Sequence, residues 1–201
     1  MSGPDRPGRR RLLLILEVLL VAVIVYSLFA WRSRDMLATG QDLPAPGLNL
    51  PRLDGSAFSL SAHAGQPVLV YFFAPWCRIC QLSAPNLERV ARYGHDDLAI
   101  VTVALDWQNT TEVRRFAETA GLRRELVLGD PATAARWQVP GYPSYYVLGR
   151  DHRIRYRDFG YSTTAGLLLR TWSAARDGRQ LAAASPAGGG PASLRTARRT
   201  P

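Results

Sequence analysis

The chain has 201 residues, 47% of them hydrophobic and 20% charged, which suffices for one domain with a real core plus tails. That composition excludes a disordered protein, a collagen-like chain and a polytopic membrane protein. Two cysteines cannot staple a core-poor fold. A net charge of +9 first suggests nucleic acid, but its placement argues otherwise. Residues 1–11 carry four Arg against Asp5, residues 12–35 balance, residues 36–175 hold 14 Arg against 12 acids, and residues 176–201 hold five Arg against Asp177. Most of the excess therefore lies on the ends, whereas a nucleic-acid binder carries its basic patch on the folded domain. All 25 basic residues are Arg, which reads as genomic composition bias.

Residues 1–11 form a basic N-terminus, and Leu12 to Trp31 follow with Glu17 as their one charge. Twenty residues of helix span roughly 30 Å, the thickness of a bilayer's hydrocarbon core. Glu17 lies close enough to the arginines to reach the interface, and Tyr26 and Trp31 sit toward the far end where amphipathic aromatics belong. The alternative is a cleaved signal peptide. Against it, the stretch is long, and Leu28-Phe29-Ala30 lacks the small residue two before a cut. The segment reads as an uncleaved transmembrane anchor, and four arginines before it against two after it place the N-terminus in the cytoplasm. The domain is then outside, in an oxidising compartment.

Residues 32–43 read as a polar linker, and residues 44–176 as the folded domain. Val68 to Phe73 is a short continuous apolar run of the kind found in buried strands, and Leu98 to Leu105 is a second. Val113, Phe116, Ala117 and Ala120 fall at helical spacing, predicting a helix over 111–121. A short strand over 124–128, a helix over 132–137, a strand pair over 144–148 and 154–161, and a helix over 163–175 complete the domain. Such alternation predicts an α/β sandwich around a mixed sheet flanked by helices. Residues 177–201, rich in Ala, Gly, Pro, Ser and Arg, read as a disordered basic tail.

Trp76-Cys77-Arg78-Ile79-Cys80 directly follows the first buried strand and opens a helical stretch. Unsatisfied N–H groups and the dipole at a helix start stabilise a thiolate, and Arg78 adds a cation beside it. The thiolate is the attacking species in disulfide exchange, so Cys77 is the nucleophile. Cys80, about one turn inward, is placed to attack the mixed disulfide and release product. Zinc needs four ligands; here no third cysteine exists, and His63, His95 and His152 are isolated in sequence. A permanent structural bridge over so short a loop would stabilise little.

Phe72 to Cys80 resembles the active-site segment of thioredoxins, Pro85 matches the proline that kinks their active-site helix, and Gly141-Tyr142-Pro143-Ser144 resembles the loop whose proline is cis and faces the disulfide. The pieces Ala45 to Leu50, Leu53-Asp54-Gly55 and Phe58-Ser59-Leu60 are similar to the start of membrane-anchored TlpA-like and DsbE-like thioredoxins. Among these the resemblance is strongest to the bacterial protein disulfide oxidoreductases that include the suppressor of copper sensitivity protein D. The resemblance implies a thioredoxin fold and a redox-active Cys77–Cys80 disulfide with no other cofactor and no metal. It also implies substrate proteins carrying thiols or disulfides, a membrane electron-donor or acceptor protein as redox partner, and a place on the bacterial cytoplasmic membrane with the domain in the periplasm. A reductant is the implied direction, with an oxidant of protein thiols as the alternative.

Three positions depart from that pattern. Tyr71 stands where thioredoxin has a buried aspartate, Ser83 where some relatives have a glutamate, and Arg78-Ile79 replaces the Gly-Pro dipeptide. The missing acids and the added cation predict a reduction potential above that of thioredoxin, about −270 mV. Trp76, Tyr142 and Pro143 are expected to bind substrate. Asp106 reads as a solvated loop acid, and Arg153, Arg155 and Arg157 as the wet face of a strand. A copper metallochaperone on the same scaffold is the rival from another class, though copper-delivering relatives carry three residues between their cysteines and a distant histidine.

Overall fold

The computed structural model describes residues 7–32, 36–39 and 44–184. Helix α1 (Pro7–Arg32) contains the expected apolar span: residues 11–28 have a mean hydropathy of 2.5, and none is buried against the rest of the protein. At about 27 Å for that stretch, α1 is long and apolar enough to cross a membrane.

The domain is built around β3 (Val68–Phe73), flanked by β4 (Ala99–Ala104) in parallel and β6 (Ser144–Leu148) antiparallel. β5 (Glu125–Leu128) and β7 (Ile154–Phe159) form the edges, giving the order β5-β4-β3-β6-β7. Every residue of β3 is fully buried. Leu69, Tyr71 and Phe73 point to one face, beneath α2 (Arg78–Tyr93), α3 (Thr110–Ala120) and α5 (Thr164–Ala184). Val68, Val70 and Phe72 point to the other, where Trp137 follows α4 (Pro131–Arg136). The two-residue side-chain period of a strand makes this division, and cover on both faces requires the unbroken apolar run.

The helices start where local chemistry directs. Asn109 and Glu112 form a reciprocal capping box on α3, which Gly121 ends at φ 65. Asp130 accepts from the Thr133 N–H at 2.7 Å to cap α4, with Pro131 at its first turn. Thr163 accepts from the Gly166 N–H at 3.2 Å at the start of α5.

A small antiparallel hairpin, β1 (Asn49–Pro51) with β2 (Ala57–Ser59), escaped the hydrophobic pattern because each strand has three residues. It turns at Gly55, whose φ of 87 favours glycine, and buries Leu50 and Phe58 against the second face of the sheet.

Two expectations need correction. Met36 and Leu37 of the proposed linker are docked on the domain: Met36 is 2% exposed, the Leu37 N–H donates to Tyr146 Oη at 3.2 Å, and Arg157 donates to the Met36 and Leu37 carbonyls. One buried methionine without periodic neighbours gives no pattern to read. The last helix continues past Ala175 to Ala184, because Leu181 and the alanines after it favour helix more than the surrounding composition suggests. Linker residues 33–35 and 40–43 and tail residues 185–201 lie outside the described residues.

Met36→Ala is expected to lower the stability of the domain by about 2–3 kcal/mol, measured by urea unfolding, whereas removal of residues 1–35 leaves its unfolding midpoint unchanged.

Candidate active site

β3 ends at Phe73, and the chain turns through Ala74-Pro75-Trp76, closed by the Cys77 N–H on the Ala74 carbonyl at 3.0 Å. Cys77 is the N-cap of α2: its backbone is extended, and its Sγ accepts from the Cys80 N–H at 3.2 Å. Cys77 and Cys80 are joined as a disulfide with Cα atoms 5.2 Å apart. Cys77 is 6% exposed and Cys80 fully enclosed, so only the first sulfur can be approached by a partner. No acid lies in the first turn of α2, and the Arg78 side chain is exposed beside the disulfide. Pro85 lies inside α2, a little more than one turn beyond Cys80, where it removes one N–H donor from the helix.

Tyr71 lies beneath this turn. Its hydroxyl donates to the Cys80 carbonyl at 3.0 Å, and its ring packs on Tyr145 at 5.0 Å. Burial pushes the Tyr71 hydroxyl well above its ordinary pKa, so it stays a neutral donor. Ser83 Oγ donates to the Ile79 carbonyl at 2.8 Å. Among the described residues the buried polar side chains are hydroxyls and the Asn86 amide, with no carboxylate. The site thus rests on a neutral floor where an acid is common in thioredoxins.

Trp76 is 65% exposed and stands edge-on to Tyr142, with ring centroids 5.8 Å apart. The Tyr142–Pro143 peptide is cis, and the Ser144 hydroxyl donates to the Gly141 carbonyl at 2.8 Å. The fold therefore brings Trp76, Tyr142 and Pro143 to the same end of the sheet as Cys77. Burial, then the negative charge of Asp106, pushes the Tyr142 hydroxyl up to about 12.

Asp106 is not merely a solvated acid: its Oδ2 accepts from the Trp76 indole N–H at 3.0 Å. β3 and β4 run parallel with Phe73 opposite Ala104, so the residues just beyond them emerge side by side. Asp106 then turns through a φ of 50. The sequence carried a signal for this contact, since both strands were legible and both residues follow closely on their ends. Arg157 likewise departs from the wet-face reading, through its bonds to the docked segment.

The histidines are engaged elsewhere. His63 Nδ1 meets Gln66 Oε1 at 3.0 Å, His152 Nε2 meets the His63 carbonyl at 2.9 Å, and the His95 ring packs on Trp172. Among the described residues no three His, Cys, Asp or Glu side chains converge as a metal-holding group.

Tyr71→Phe removes one buried hydrogen bond and is expected to cost about 1 kcal/mol of stability, read by urea unfolding. Asp106→Ala is expected to release the indole of Trp76, seen as a shift in the fluorescence difference between this variant and its Trp76→Phe derivative.

The AhpC/TSA family model matches residues 42–157, more than half of the chain. The thioredoxin-like protein YneN of Bacillus subtilis is 30% identical over 136 residues, which span 67% of this chain and 80% of that protein. The thiol-disulfide oxidoreductase ResA of Geobacillus thermodenitrificans is 26% identical over 143 residues, spanning 70% of this chain and 82% of that one. In fold, the chain is similar to a solved thiol:disulfide interchange protein of Chlorobium tepidum, with a TM-score of 0.61 at 22% identity over 68% of this chain and 99% of that one. A chain with this sheet, this cysteine pair and these relatives belongs to the AhpC/TSA family, as a thiol–disulfide oxidoreductase of thioredoxin fold.

Proposed function

We propose that the protein is a membrane-tethered oxidoreductase whose domain faces an extracytoplasmic space and exchanges disulfides with partner proteins, acting as their reductant. The observation that carries this reading is the asymmetry of the pair: Cys77 Sγ sits at the helix start under the Cys80 N–H and can be reached, while Cys80 cannot. In the reduced protein, the N–H groups and dipole of α2 favour the Cys77 thiolate. That thiolate attacks one sulfur of a substrate disulfide, and the departing substrate thiolate takes a proton from solvent. Cys80 then loses its proton and attacks Cys77 Sγ, releasing the second substrate thiol. Two electrons have passed to the substrate, and the Cys77–Cys80 disulfide is restored to dithiol by a membrane electron donor. Trp76, Tyr142 and Pro143 hold the substrate backbone beside Cys77.

The α1 helix supports a tether on the bacterial cytoplasmic membrane, and the arginines before it support a domain on the periplasmic side. The reductant direction is supported by the resemblance to TlpA-like and DsbE-like proteins. A second reading, an oxidant of protein thiols, is favoured by Arg78 and by the lack, among the described residues, of a buried carboxylate, both of which stabilise the reduced form of the protein.

Cys80→Ala is expected to accumulate mixed disulfides with substrate proteins and Cys77→Ala to abolish them; trapping through Cys80 instead would reverse the roles. Equilibration with glutathione should give a potential above about −270 mV with a mainly reduced pair in cells. A potential near about −120 mV and an oxidised cellular pool would replace the reductant with the oxidant. A reporter fused after residue 40 is expected to be active only outside the cytoplasm.

A further inference from the structure

Beside the cysteine pair, α2 and α3 enclose a cleft of about 180 Å³. Its apolar lining includes Pro75, Trp76 and Phe116, and its rim carries Gln81, Glu112 and Arg115. Gln81 is bonded through its N–H to the Cys77 carbonyl at 3.2 Å, which places the cleft directly against the nucleophile's turn. The volume suits one side chain of an approaching protein.

The charges on its rim are unequal in availability. Glu112 Oε1 accepts from the N–H groups of Gln108 and Asn109, so its charge is engaged at the N-terminus of α3. Arg115, one turn along the same helix, is exposed and makes no hydrogen bond or ion pair among the described residues. Arg78, next to Cys77, is exposed and also without such a bond among the described residues. Asp106, the other acid near Trp76, accepts from the indole. Arg78 thus adjoins Cys77 in the chain and Arg115 lines the cleft with Trp76, the residue before Cys77, both without a hydrogen-bond or ion-pair partner among the described residues, while the carboxylates of Glu112 and Asp106 already accept hydrogen bonds.

We propose that this cleft is a specificity pocket for an acidic side chain beside the reacting cysteine of the substrate protein. The apolar lining takes the methylene stem, and Arg115 meets the carboxylate at the rim with Arg78 reinforcing the field. The inference rests on the oxidoreductase reading and adds its substrate class. The reaction is unchanged: the substrate disulfide gains two electrons and two protons and becomes two thiols, while the dithiol of Cys77 and Cys80 becomes a disulfide.

The test uses the full chain in detergent micelles, reduced, with three peptide disulfides that differ only in a Glu, Ala or Lys beside the cysteine, and with hydroxyethyl disulfide as an uncharged reference. The wild-type protein is expected to react roughly threefold faster with the Glu than with the Ala peptide, and slower still with the Lys peptide, a preference that salt weakens. Arg115→Gln should shrink the Glu-to-Lys ratio of rates, and Arg115→Glu should invert it. The ratio is read within each variant, so a general loss of activity does not imitate the effect. Equal rates for the three peptides, a Lys preference in the wild type, or an Arg115→Glu ratio like that of the wild type would overturn the pocket. No turnover of hydroxyethyl disulfide or of any peptide would overturn the oxidoreductase reading itself, and the pocket with it.

Discussion

The burial of one strand on both faces is the constraint from which the remainder follows. β3 sits third of five, with α2, α3 and α5 over one side and the hairpin and α4 over the other. Burying each of its large side chains is worth about 1.5–3 kcal/mol, and none of its six positions has an alternative in water. The strand's end is consequently fixed, and with it the turn that sets Cys77 at the start of α2. A residue at the middle of such a strand can be polar only if its polar atom finds a partner. Tyr71 meets that condition by reaching past its apolar ring to the Cys80 carbonyl.

The site combines a neutral interior with a mouth that carries charges of both signs, Arg78 and Arg115 beside Asp106 and Glu112. Below the disulfide lie aromatic rings and hydroxyls, and the acids at the mouth accept from an indole or from the N–H groups just before α3. With no carboxylate buried among the described residues, protons lost in the exchange leave by way of solvent or the substrate's own thiolate. The same lack of negative charge favours the thiolate at Cys77.

What was legible in the sequence is what a continuous pattern writes. Val68–Phe73, the Cys77–Cys80 spacing and the 113–120 periodicity each lie within a short window, and the elements they predict form within a residue or two of their expected bounds. The Tyr142–Pro143 loop was legible through the motif it resembles. Contacts made by single residues across the fold were harder to read: Asp106 with Trp76 left only the signal of two neighbouring strand ends, and Arg157 with the Met36 and Leu37 carbonyls and Tyr71 with Cys80 depend on register between elements. The three-residue strands β1 and β2 are too short for alternation to be distinguished from chance.

The docking of Met36 also sets a length. Arg32 ends α1, and Met36 is already held in the core of the domain, so four peptide links separate the two. Fully extended, they reach roughly 14 Å. Were α1 to lie in a bilayer, the domain would be on a leash of that length, close against the headgroups. Its encounters would then become a search in two dimensions, dominated by membrane-bound or membrane-adjacent proteins, where a short tether holds local concentration high. Freely diffusing proteins would have to come to that surface to be served.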